Sequence, residues 1–356
     1  MMTAPRLSVL TCTRNGERTI ARALDAVKAQ AGLKPGEVEM IVVDNGSTDA
    51  TPRIIAESLT AAPFPTRFLT ATKEGKVNAL IAGLEASRGE YVCIVDDDNI
   101  ICEDFLRVAV DFLDTHPDVG LIGGVNELDG GGAPDWFDGV KDFFACGEPY
   151  YITPPQPVDA NRSISDFALI AGAGSTFRKT VLTSLMARGF FFLNETFRGA
   201  KMAVTGEDRE MSVLFHYFGW KMGCDRRMTL RHAVGLQRLT PDYLARLCQS
   251  IGAGNEGSNL LEAQREGRLD DWKQHWWWRA LRRGKRLGQI LPAAIGRSLN
   301  GSPINMGYAE WNMEIGGLRR CLKDRDKLLR RARERAQAAW VGAAEACAPG
   351  SVPPGR

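Results

Sequence analysis

The run Val92-Cys93-Ile94-Val95-Asp96-Asp97-Asp98-Asn99 constrains this chain more than any other stretch. An unbroken apolar run rich in valine and isoleucine reads as a strand buried on both faces, the kind that parallel sheets contain. It stops at three consecutive carboxylates. Adjacent ionised acids repel one another and are costly to desolvate, so packing alone does not put them there. Open α/β sheets carry their ligands at the carboxyl ends of strands, and a divalent cation would relieve the repulsion. Oxygen donors suit magnesium or manganese. The plainer alternative is a solvated acidic turn leading into a helix, with Glu103 and Asp104 in its first turn.

Upstream, strands and helices alternate. Leu7-Ser8-Val9-Leu10 is a strand that runs into a polar loop, followed by Ile20, Leu24 and Val27 at helical spacing. Glu39–Val43 is a second strand, ending in Asp44-Asn45-Gly46-Ser47-Thr48-Asp49. Asn-Gly supplies a turn there, and Ser47 or Thr48 is placed to cap a helix that has Pro52 in its first turn. A weaker strand at 67–71 precedes a helix with Val77, Leu80, Ile81 and Leu84 on one face. Strands joined through helices by short loops predict an α/β fold with a mostly parallel sheet covered on both faces. The first loop, Cys12-Thr13-Arg14-Asn15-Gly16-Glu17, is neither the dinucleotide glycine fingerprint nor a phosphate-cradling Walker loop. A nucleotide on this sheet would therefore need a cation at Asp96–Asp98 for its diphosphate.

The length, 356 residues, accommodates two domains or one with an extension. No basic segment followed by a long apolar core opens the chain, and no apolar run is long enough to span a bilayer. The eight cysteines are scattered without Cys-x-x-Cys pairs, which points to thiols in a reducing compartment, with cytoplasm the expected location.

Three segments resemble family 2 glycosyltransferases, whose nucleotide-sugar-binding fold is called GT-A: Ser8–Asn15, Val42–Asp49 and Gly89–Asp98. They stand in order, at spacing similar to the family's. The resemblance covers residues 6–245 and implies an inverting transfer of a sugar from a nucleotide-diphosphate donor, a UDP-sugar foremost, to a hydroxyl acceptor with Mg or Mn. Cell-surface polysaccharide or glycolipid assembly is the setting it suggests. By that likeness Thr13, Arg14, Asn15, Glu17, Asp44 and Lys76 would hold base and ribose, and Asp97 would reach the ribose. Arg14 departs from the tyrosine that many members carry. Asp96 and Asp98 would hold the metal, although three acids in a row leave the ligating pair ambiguous. Ala171–Arg178 resembles the small-residue segment where backbone approaches the donor, with Gly174 in it.

Thr205-Gly206-Glu207-Asp208 has two readings. Thr-x-x-Asp is the spacing of a capping box, and acids favour a helix amino terminus. The resemblance assigns Asp208 as the general base that deprotonates the acceptor, with Glu207 beside it. Met211, Leu214, Phe215 and Phe218 form the apolar face behind them. His232, after a strand at Met228–Leu230 expected at a sheet edge, is a candidate to complete the metal shell or bind diphosphate, against the plain reading of a structural histidine. Arg238 is a candidate phosphate or acceptor contact. Trp136, Phe137, Phe143, Phe144, Tyr150 and Tyr151 are either sugar-stacking or core residues.

Charge is unevenly distributed. Residues 266–340 hold seventeen Lys and Arg against eight Asp and Glu, so the rest of the chain is acidic. Trp272, Trp276, Trp277 and Trp278, followed by Arg279, Arg282, Arg283, Lys285 and Arg286, suit the interface of an anionic membrane. A second basic helix is expected over 318–340. Alternatives are a helical cap on the acidic body or an arm forming a homodimer; no nucleic-acid-reading module accompanies the charge. The expected organisation is a catalytic domain over 1–265, with a nucleotide half to about 125 and an acceptor half from about 126. A helical extension over 266–345 and a Pro- and Gly-rich tail over 346–356 follow. An acceptor glycan or lipid-linked saccharide and peripheral contact with the inner membrane face through 272–340 complete this reading. The rival functions are a sugar-phosphate nucleotidyltransferase, whose glycine-rich first loop is missing, and an inactive scaffold, which would not need Asp44, Asp96, Asp98 and Asp208.

Overall fold

Strand alternation sends apolar side chains from the first strands to two opposite faces, and helices cover both. In the computed structural model, which describes residues 4–34, 36–194, 204–296, 304–343 and 348–349, β1 (Leu7–Thr13), β2 (Val38–Asp44), β3 (Thr66–Thr70) and β4 (Tyr91–Ile94) form one side of the sheet. Helices α1 (Ile20–Lys28), α2 (Thr51–Leu59) and α3 (Lys76–Ala86) connect them. β2, β1 and β4 are parallel neighbours, with Thr13 opposite Asp44 and Leu10 opposite Ile94, so their carboxyl ends align. Leu10, Ile41, Val43, Val92 and Ile94 point to one core with α3, while Leu7, Val9, Met40, Val42 and Cys93 point to the other with α1.

β5 (Asn99–Ile101), α4 (Phe105–Thr115) and β6 (Val119–Leu128) follow the acidic turn. The middle third holds short strands, β7 (Tyr150–Tyr151), β8 (Gln156–Pro157), β9 (Arg162–Ser165) and β10 (Ala168–Leu169). Then come β11 (Thr176–Arg178), α5 (Lys179–Ala187), α6 (Glu207–Tyr217) and β12 (Lys221–His232). The main sheet runs β3-β2-β1-β4-β11-β6-β12-β9-β8, with β5 on β12. β11 is antiparallel to both its neighbours, whereas β6 and β12 are parallel. The strand expected at an edge is thus interior: β12 lies between β6, β9 and β5. Twelve residues with a register break between Cys224 and Thr229 disguise it, because the break interrupts the apolar alternation.

The C-terminal helices are α7 (Pro241–Arg265), α8 (Trp276–Gly296), α9 (Met306–Asp324) and α10 (Asp326–Gln337). Thr240 caps α7, its hydroxyl accepting from Tyr243 N, and Pro241 occupies the first turn. The single helix expected over 318–340 is two, broken at Arg325, whose φ is +44°. Many of the arginines that read as a membrane-facing charge are turned inward. Arg279 and Arg283 pair with buried Glu256 at 2.9 and 2.7 Å, and Arg283 with Glu314 at 2.8 Å. Arg335 pairs with Glu210 of α6, both fully buried. Trp340 is fully buried in the same core as Leu10 and Ile94, packed on Phe190, Tyr217 and Phe218. In the terminal stretch 346–356, all but residues 348–349 lie outside the described residues.

Candidate active site

The aligned ends of β1, β2 and β4 open onto one face. The three carboxylates of the β4 turn escape mutual repulsion by taking different partners. Asp96 pairs with Lys76 Nζ at 3.1 Å. Asp97, 4 % exposed, accepts a hydrogen bond from the Thr13 hydroxyl and lies under the β1 loop. Asp98 faces His232 Nε2 at 3.5 Å and Arg238 Nη1 at 3.4 Å. The antiparallel register of β5 on β12 sets His232 opposite Asn99, and so beside Asp98.

Loops one and two are stitched together. Asn15, at φ +55°, donates its N–H to Ser47 Oγ and accepts from Thr48 N, both at 2.8 Å. Glu17 accepts from Ala50 N at 3.1 Å. Asp44 accepts from Ser47, and Arg14 forms an ion pair with Glu74. Several side chains read as nucleotide contacts therefore hold the rim of the cleft in shape. Ser47 serves this scaffold and does not cap α2, whose N-cap is Ala50 with Asp49 Oδ1 accepting from Thr51 N.

Across the cleft stands the amino terminus of α6. Its cap is Gly206, in the left-handed region at φ +119°, so the Thr205 capping box does not form. Asp208 instead accepts from Arg209 N at 2.7 Å and Gly172 N at 3.3 Å. Lys76 Nζ reaches Glu207 at 3.4 Å as well as Asp96, joining the two acidic groups. Burial works against the Lys76 ammonium, but Asp96, Glu207 and Asp208 outweigh it and hold its pKa well above the ordinary value. Burial, then repulsion from Glu207, raises the Asp208 pKa above the usual carboxylate range, with Lys76 opposing. That is the direction a general base needs.

Among the described residues no three His, Cys, Asp or Glu side chains converge as a metal cage. Asp98 and His232 nevertheless fit a cation. His232 Nδ1 lies 2.8 Å from the Phe144 carbonyl, a contact that fixes the ring with Nε2 toward Asp98, as in many metal-ligating histidines. Magnesium-type ions at phosphate sites take few protein carboxylates and complete their shell with water and substrate oxygens. Burial disfavours the His232 imidazolium, yet the hydrogen bond to Asp98 and the nearby Cys146 push its pKa up to about 10. Asp98 is held down at about 2 in spite of burial, chiefly by His232 and then Arg238.

Two features of the site were not legible beforehand. Gly174, at φ +73°, turns its missing side chain to Leu230 and Phe105 in the core, whereas a Cβ on Gly172 would lie 3.6 Å from Asp208 Cβ and 3.9 Å from Lys76 Nζ. Gly172 is thus the glycine on the cleft face; two glycines two residues apart carry no sequence signal of which way each faces. The second is the seat of the α6 turn. Fully buried Asn194 donates to the carbonyls of Gly206 and Gly254 at 3.3 and 3.0 Å. A Cβ on Gly254 would lie 1.6 Å from the Thr205 carbonyl oxygen. Gly254→Ala is expected to destabilise the fold by about 1–3 kcal/mol, the usual cost of overpacking. A thermal melt reads it, and an unchanged midpoint would show that the turn before Glu207 yields freely. Of the candidate stacking aromatics, Phe137 and Phe144 are core residues and Tyr150 is exposed.

Residues 8–178 match the family model described as Glycosyl transferase family 2. An uncharacterised protein of Mycobacterium tuberculosis, Rv1520, is 38% identical over 116 residues, 32% of each chain. The succinoglycan biosynthesis protein ExoO of Rhizobium meliloti is 34% identical over 112 residues, 31% of this chain and 30% of its own. The chain spans about a third of the length of these curated relatives. Among solved structures, the mannosyltransferase PcManGT from Pyrobaculum calidifontis, in complex with GDP-Man and Mn2+, covers 90% of this chain and 88% of its own at 20% identity, with a TM-score of 0.58. At that identity the likeness is one of fold. Together with the sheet order and the acidic turn, these matches identify residues 8–178 as a glycosyl transferase family 2 region on a GT-A fold.

Proposed function

We propose that the cleft binds a nucleotide-diphosphate sugar and transfers the sugar to an acceptor hydroxyl with inversion, Asp208 serving as general base. One observation carries this reading. A carboxylate with a raised pKa, Asp208, stands on the α6 turn beside Glu207, which Lys76 joins to Asp96 at the acidic end of β4. The acceptor oxygen attacks the anomeric carbon, its proton passes to Asp208, and the bond to the leaving phosphate breaks. One base and no carboxylate nucleophile suffice for a single displacement. Glu207 helps keep the Asp208 pKa high, and Lys76 lowers the negative charge an incoming diphosphate meets. Arg238 lies where it can turn from Asp98 to a phosphate oxygen. Magnesium or manganese would be held by Asp98 with His232 or Asp96, and when bound would stabilise the charge on the leaving diphosphate. Thr13, Asp97 and the stitched rim formed by Arg14, Asn15, Glu17 and Asp44 would hold base and ribose, with Gly172 and Gly174 in the segment beneath the sugar. Assembly of a surface polysaccharide is the setting in keeping with ExoO by name, and an acceptor carried on a lipid would suit an enzyme working at the inner membrane face.

Calorimetric titration with a panel of nucleotide sugars, with and without Mn2+, tests this. UDP-sugars come first, then GDP-mannose, the donor held by the Pyrobaculum enzyme. Metal-dependent binding of one donor, weakened at least about tenfold in Asp98→Ala, is the expected result. Failure of every donor to bind would refute it.

A further inference from the structure

With Arg279 and Arg283 turned inward onto Glu256, and Arg286 reaching Glu314 at 3.3 Å, α8 presents a different set of residues outward. Trp277 is 46% and Leu281 60% exposed, a helical turn apart, and Arg282 and Lys285 are exposed beside them. The short turn before the helix adds Trp272, 50% exposed, and exposed Lys273. The Trp272 ring stacks on Trp277 at 5.8 Å and meets Trp278 at 4.7 Å, so the indoles form one patch. The residues of α8 include no acid.

We propose that this face docks the protein on an anionic lipid bilayer. Indole rings favour the headgroup layer, a leucine beside them enters the acyl boundary, and flanking cations meet lipid phosphates. Scattered surface hydrophobics do not put clustered tryptophans beside cations on a helix that carries no acid. A second copy of the chain would set Arg282 and Lys285 against their own like charges. Nucleic acid would satisfy the cations but leave Leu281 in water. The inward arginines take no part, so the docking charge is smaller than the composition of the segment suggests. None of these residues belongs to the candidate site, and the proposal does not depend on the sugar-transfer reading.

Cosedimentation of the full chain with vesicles tests it, comparing phosphatidylcholine alone with an equal mixture of phosphatidylcholine and phosphatidylglycerol. Binding to the mixed vesicles only, weakened by added salt, is expected. The triple variant Lys273→Gln, Arg282→Gln, Lys285→Gln should lose at least about tenfold, at several-fold per cation near an anionic surface. Trp277→Ser with Leu281→Ser should lose binding comparably while melting like the wild type, since both positions are exposed. The proposal fails if mixed vesicles do not bind, or if both variants bind as the wild type does. It also fails if the same residues instead support a dimer in sedimentation equilibrium, capture of an acidic protein, or binding of a DNA duplex with no vesicle affinity.

Discussion

Arg335→Ala is expected to destabilise the protein by about 3–5 kcal/mol, the usual consequence of removing one member of a buried ion pair. Arg335 and Glu210 are both fully buried, 125 residues apart in sequence. Glu210 also accepts from Leu193 N at 3.0 Å and Asn194 N at 3.2 Å, so its charge would stay buried with backbone donors alone. Burial depresses the Arg335 pKa even against Glu210, a sign that desolvation is incompletely compensated. The double replacement Arg335→Met, Glu210→Gln, which removes both charges and keeps an amide oxygen for a backbone donor, should therefore recover part of the lost stability in a chemical denaturation series. The position of the pair gives it a second consequence. Glu210 lies in the first turn of α6, two residues from Asp208, so Arg335→Ala should also disturb the cleft. A denaturation midpoint in Arg335→Ala equal to that of the wild type would contradict this reading of the C-terminal helices.

Asp208→Asn carries the second large effect. Loss of a positioned general base typically lowers turnover by about 10²–10⁴-fold. Asparagine keeps the acceptor oxygen for Arg209 N or Gly172 N, so fold and donor binding should survive. In the wild type the base works only when deprotonated. Because burial and Glu207 raise its pKa, kcat/KM should fall as pH drops through a value above the ordinary carboxylate range. Lys76→Met removes the cation that opposes the rise, so the acid limb should move to higher pH. A profile flat through that region, or an asparagine variant that turns over normally, would remove Asp208 from the role.

Much of this could be read from the chain because the information is local. Periodicity located β1, β2 and α3, and the bare chemistry of three adjacent carboxylates marked the end of β4. Met211, Leu214 and Phe215 are buried as their spacing requires. What was not legible depends on long-range pairing. Nothing near Arg279, Arg283 or Arg335 in sequence shows that Glu256 and Glu210 await them, so a basic composition read as a surface when part of it is interior. β12 read as an edge because its register break hides its length. The break at Arg325 lacks the glycine or proline that announces one. The family resemblance marks Asn15 and Glu17 as ligand contacts, while their hydrogen bonds to the second loop needed the fold to be seen.

The most direct measurement is the anomeric configuration of the transferred sugar, read by proton NMR early in turnover with the donor that binds. Single displacement assisted by Asp208 requires the configuration opposite to that of the donor. A product that retains the donor configuration would contradict the one-base reading of this cleft.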